Sequence, residues 1–146
     1  RIVRTLGFSK NLVHLSERVS DPLKYLKNDA LKATLKYKWI RYADWDNDEY
    51  GYQISSNFSD GGEQTLSIFS QNINTRLIIE DLNYRVPTNF IRTSDSWKNY
   101  FWFETTSGKL IKSVQLLSPL DEKFEMVYLS RITRLLANKE QLPVNL

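Results

Sequence analysis

The chain has 146 residues, 41% of them apolar and 25% charged, which describes one globular domain with a real core and excludes a disordered or fibrous chain. It contains no cysteine, which excludes a disulfide framework, a thiolate metal site and a cysteine nucleophile, and mildly favours a reducing compartment, cytoplasm or organelle interior. The net charge of +3 hides a polarity: residues 1–43 carry ten Lys/Arg against three acids and residues 44–82 one against eight, so a basic head can pair with an acidic middle once folded.

The chain begins at Arg1 without methionine or an apolar leader, as a processed form or a fragment does. No run approaches the ~20 apolar residues that span a bilayer, and the chain reads as soluble. Helical spacing opens it. Ser9 is placed to cap a helix carrying Leu12, Leu15 and Val19, and Asp21-Pro22 supplies a second cap with proline in the first turn. From Thr34 the period becomes two: Leu35, Tyr37 and Trp39 alternate with Lys36, Lys38 and Ile40, and Tyr50, Tyr52, Ile54, Ser56 and Phe58 repeat the pattern.

Between these strands, Asp44, Asp46 and Asp48 have the spacing of a calcium loop. The rest of that loop is missing: Glu49 stands where the sharp turn needs glycine, and Ser55 where a bidentate glutamate should bind. The acids read as the exposed tip of a hairpin, where charge discourages edge pairing.

Short strands continue at Thr65–Ser70, after the turn Ser59-Asp60-Gly61-Gly62, and at Thr75–Glu80, after Gln71-Asn72-Ile73-Asn74. Residues 81–97 contain Pro87, lose alternation and read as a longer loop. Asn99–Thr105 and Lys109–Leu117 form the clearest hairpin, around Ser107-Gly108. Ser118-Pro119 then caps an amphipathic helix, with Leu120, Phe124, Val127, Tyr128, Ile132, Leu135 and Leu136 on one face and Arg131 and Arg134 late, as the helix dipole favours.

The expected fold is α+β, one domain over residues 1–146. Two short N-terminal helices (1–33) precede a meander of about six antiparallel strands (34–117) that forms a bent sheet or partly open barrel, and a C-terminal helix (118–140) packs on it.

Little of the chemistry is catalytic. His14 is the only histidine, no nucleophile elbow, phosphate loop or zinc pair is present, and no catalytic residue, metal or cofactor is assigned. The run Trp97–Phe103 places Tyr100 and Trp102 on one strand face and Phe101 and Phe103 on the other. The stretch WKNYFWFETTSGKL resembles one hairpin of a pleckstrin-homology domain, and its Phe101-Trp102-Phe103 is similar to a segment of lipocalin-like bilin lyases; each covers too little of the chain to imply a family.

Nineteen aromatic residues exceed what a modest core uses, and aromatic residues beside cations favour interfaces. Lys36, Tyr37, Lys38, Trp39, Trp97 and Lys98 are therefore the candidate partner contacts, against the plainer reading of core rings and a solvated lysine face. The leading functional reading is a non-catalytic β-rich module that engages a protein partner within a larger assembly. A lipocalin-like carrier or chromophore-handling protein for an apolar small molecule is the second, and nucleic-acid binding through the basic N-terminal segment the third.

Overall fold

Every strand hydrogen-bonds to the strand before it in the chain, always antiparallel, in a computed structural model of the protein that describes residues 1–25, 38–85 and 95–140. Among the described residues the sheet has seven strands: β1 (Leu12–Glu17), β2 (Trp39–Trp45), β3 (Tyr52–Ile68), β4 (Gln71–Tyr84), β5 (Ser96–Glu104), β6 (Leu110–Gln115) and β7 (Phe124–Val127). One helix, α1 (Leu129–Glu140), follows them, and a short 3-10 turn covers Pro22–Tyr25. The sheet-dominated architecture, the meander order and the C-terminal helix agree with the sequence. No helix among the described residues is long and apolar enough to cross a membrane.

The two N-terminal helices are corrected. Residues 12–17 form β1, and the 3-10 turn stands where the second helix was expected to start; residues 26–37 lie outside the described residues. The error has a physical source. A bulge between Leu12 and His14 shifts the phase of β1 against β2, so Leu12 and Leu15, three apart, both pack on the Trp45 cluster. A bulged strand thus imitated the spacing of a helix.

Two expected turns are also corrected. β3 and β4 form one long hairpin that turns at Phe69-Ser70, and Gln71–Asn74 belong to a strand. Both Phe69 (φ 51°) and Ser70 (φ 59°) sit in the left-handed region. Asp60-Gly61-Gly62 is a bulge within β3 and not a loop. There the backbone passes close over β4: a Cβ on Gly61 would stand 2.7 Å from Leu77 Cγ, which explains glycine at that position without a turn.

The C-terminal helix starts later than Ser118-Pro119 implied. Phe124–Val127 instead pairs with β6, in register from Gln115↔Phe124 to Lys112↔Val127, with Lys112 Nζ 2.6 Å from Glu125 Oε1. Four residues rich in β-formers meeting an open sheet edge win over local helix propensity. α1 then buries Ile132 against Ile73 and Ile111, with Leu135 and Leu136 beside them, and so packs on the sheet.

Two further clusters fill the sheet's buried side. Leu12, Ala43, Trp45, Ile54, Leu82 and Trp97 form one; Trp39, Phe58, Ile78, Phe101 and Phe103 form the other. The alternation in β5 is as the sequence implied, with Phe101 and Phe103 buried and Tyr100 and Trp102 half-buried on the opposite face.

Candidate functional site

Between the two aromatic clusters lies a charge that apolar patterning would not place there. β2 turns Trp39, Arg41, Ala43 and Trp45 inward, and β4 turns Ile78, Glu80 and Leu82 inward, so a guanidinium and a carboxylate enter the core from strands separated by β3. Arg41 Nη1 donates to Glu80 Oε1 at 2.9 Å and to Ser56 Oγ at 2.7 Å, and the Ser56 hydroxyl donates to the same carboxylate oxygen at 2.6 Å. Arg1 approaches from the N-terminal segment: its Nη1 donates to Glu80 Oε2 at 2.7 Å and its Nε to Asp21 Oδ2 at 2.6 Å. The Arg1 guanidinium lies over the rings of Trp39 and Phe101.

Neutral groups complete the network. Asn99 Nδ2 donates to Glu80 Oε2 at 3.3 Å, its Oδ1 accepts from the Leu116 N–H, and the Ile2 N–H donates to Gln115 Oε1. Burial alone would raise the Glu80 carboxyl, but the two guanidiniums outweigh burial and hold it down to about 2. Burial lowers Arg41 to about 10 beside the like charge of Arg1, while Arg1, gripped by both Glu80 and Asp21, is held above its ordinary value against its own burial. A carboxylate this acidic, with both oxygens bonded, does not exchange protons near neutral pH. The cluster is a clamp.

Next to the clamp the surface opens into a cleft of about 600 Å³. Its walls come from the N-terminal segment (Arg1, Val3), β1 (Leu15, Glu17), the 3-10 region (Asp21, Lys24), the β5–β6 turn (Lys109, Leu110) and α1 (Arg131, Arg134). Cations outnumber acids on these walls five to two. Arg1 is committed to Asp21 and Glu80, and Lys24 Nζ lies 3.4 Å from Glu17 Oε1. Among the described residues no carboxylate forms an ion pair with Lys109, Arg131 or Arg134. Arg131 is preset: Nη1 donates to the Leu110 carbonyl at 2.8 Å and the guanidinium rests 4.5 Å from the Tyr128 ring centre.

The acids of the β2–β3 turn diverge into separate tasks. Asp44 accepts from the Gly51 N–H, Asp46 from the backbone and side chain of Asn11, and Glu49 from Lys10 Nζ at 2.7 Å. The Asn11 N–H and amide hold the Asp46 carboxyl below its ordinary range. The stretch is a hairpin tip tied to the N-terminal segment, and with Lys10–Glu49, Arg1–Glu80 and Arg41–Glu80 the basic head does pair with the acidic middle. His14 is an exposed residue of β1.

Of the six candidate partner contacts, Lys36 and Tyr37 lie outside the described residues. Trp39 and Trp97 are buried core residues whose Nε1 groups donate to the carbonyls of Val19 and Leu116. Lys38 is exposed, and so is Lys98, with Nζ 3.0 Å from Asp81 Oδ1. The structure gathers none of them at the cleft. The residues that sequence reasoning missed are Arg1, Arg41 and Glu80, and the available signal was opposite charges at inward positions of two apolar strands.

Residues 1–129 match the family described as group 4 capsule polysaccharide lipoprotein GfcB, YjbF. The uncharacterized lipoprotein GfcB of Escherichia coli strain K12 is 27% identical over 131 residues, 88% of this chain and 56% of that protein. The crystal structure of the hypothetical lipoprotein YmcC from Escherichia coli K12 is similar with a TM-score of 0.66 at 25% identity, over 87% of this chain and 63% of that one. The chain thus spans a little over half the length of the curated relative it matches. That these are lipoproteins overturns the preference for a cytoplasmic or organelle interior. The preference rested on missing cysteines, and a sheet with a core of this size needs no disulfide in any compartment.

Proposed function

Since this chain belongs to the group 4 capsule polysaccharide lipoprotein family of GfcB and YjbF, we propose that it is the non-catalytic binding part of a lipoprotein that works in capsule assembly alongside a protein partner. The observation that carries the non-catalytic part is the state of Glu80. The one fully buried carboxylate among the described residues is bonded by Arg1, Arg41, Ser56 and Asn99, which leaves it no lone pair or proton to lend. A partner surface is supported by Tyr100 and Trp102, half-buried on the face opposite Phe101 with ring centres 6.2 Å apart, and by the Lys112 ammonium over Trp102.

The test uses the full-length lipoprotein in its source organism. Deleting its gene is expected to reduce surface capsule, and the wild-type gene to restore it; unchanged capsule would remove the assembly role. Purified protein is expected to leave capsule polysaccharide intact in length and substitution, whereas turnover would make it an enzyme. Site-specific crosslinking from Tyr100 is expected to trap another protein of the capsule system, and crosslinks only to lipid or to nothing would remove the partner.

A further inference from the structure

We propose that the cleft between the N-terminal segment, the β5–β6 turn and α1 binds a carboxylate-bearing stretch of saccharide. The inference deepens the binding role proposed above and rests on it. Three features carry it. The first is uncommitted charge: Lys109, Arg131 and Arg134 line the recess with no carboxylate partner among the described residues, while the other cations of the cleft are already paired. Three cations lining one recess without a carboxylate partner, on a chain whose formal net charge is only +3, give it a local preference for anions.

The second feature is preorganisation. Arg131 is fixed between the Leu110 carbonyl and the Tyr128 ring, so part of its ordering cost is met before any ligand arrives. A planar guanidinium so held can take a carboxylate through two parallel N–H donors.

The third is the lining between the charges. Val3, Leu15, Leu23, Phe103 and Leu110 give the recess apolar walls, which suit the C–H faces of sugar rings and do not suit a small hydrated anion. At about 600 Å³ the space falls within the ~300–1,000 Å³ range of ligand pockets. Arg1 forms part of the wall, and its bonds to Asp21 and Glu80 anchor that side of the recess to the buried clamp.

The experiment is calorimetric titration of the full-length protein with oligogalacturonate, a carboxylated saccharide, and with maltooligosaccharides of the same length, which are neutral. Oligogalacturonate is expected to bind and the neutral series to bind at least tenfold more weakly. The double variant Lys109→Gln/Arg134→Gln changes two exposed side chains and should fold normally; it is expected to weaken oligogalacturonate binding at least tenfold and to flatten its salt dependence. Arg85→Gln/Lys123→Gln, two exposed cations outside the cleft, is expected to leave binding unchanged. Equal binding of neutral and carboxylated saccharides, an unaffected cleft variant, or an equal loss from the two double variants would each overturn the proposal. Since capsule loss on gene deletion is read separately, a failure here with that phenotype intact removes the saccharide site and leaves the assembly role standing.

Discussion

Arg41 and Glu80 stand on strands that do not pair with each other, yet their side chains meet at 2.9 Å across the back of β3, where the Ser56 hydroxyl bonds both. Three strands are thereby stapled at one buried point, and Arg1 closes it from above. Glu80→Gln removes the charge and leaves two buried guanidiniums facing each other. The expected loss is about 3–5 kcal/mol, read by urea unfolding. A loss below about 1 kcal/mol would show that water or another group already shields the cluster.

The same carboxyl sets an acid limit. Its folded value is about 2 against an ordinary 4.5, so its contribution is complete above pH 4.5 and is lost as pH falls through the interval to 2. The gap corresponds to roughly 3 kcal/mol. Stability measured at steps from pH 6 to pH 3 should fall for the wild type and fall less steeply for Glu80→Gln. Asp46, Asp60, Glu104 and Glu125, also held below their ordinary values, add to the slope. Parallel curves for the two proteins would place the acid sensitivity elsewhere.

Gly61 is set by proximity. A methyl group there would overlap Leu77, so Gly61→Ala is expected to cost about 1–3 kcal/mol. Leu77→Ala alone removes a buried side chain and is costly too. In the double variant the combined loss should be less than the sum of the two separate losses, since the side chain in the way is then gone. If the two changes simply add, the close approach is not what the glycine serves.

The tip of the β3–β4 hairpin carries strain of a different kind. Phe69 and Ser70 occupy left-handed backbone that Asn-Gly occupies more easily. Phe69→Asn/Ser70→Gly should stabilise the protein by about 1 kcal/mol and raise the melting temperature by a few degrees. A lower melting temperature would mean that the exposed Phe69 ring has a partner on the protein's own surface.

Much of the sheet was legible because its strands alternate strictly. WIRYADW, SWKNYFWFE and LIKSVQ each show burial at every second residue, and the turn at Ser107-Gly108 carries its own signal. The misplaced elements fail for one shared reason, which is that pairing depends on a neighbour that local sequence does not contain. Leu12 and Leu15 look helical until a bulge is known. Gly61-Gly62 looks like a turn until Leu77 is known to pass beneath it. Phe124–Val127 looks helical until the β6 edge is in place. The clamp was hidden for the same reason, since Arg41 and Glu80 lie 39 positions apart and only the register of three strands brings them together. Of the cleft cations, Arg131 and Arg134 were visible only as the basic end of an expected helix, and Lys109 only as the start of a hairpin strand.

The consecutive strand order has a kinetic consequence. Pairing each strand with its immediate predecessor keeps most closing loops short, the stretch between β1 and β2 being the longest, so the sheet can zip progressively along the chain. Arg1 is the counterexample: it must travel back to a carboxylate 79 positions away. Contacts of such long sequence separation are costly to close, and a mutation at Arg1 is expected to speed unfolding while leaving the folding rate nearly untouched.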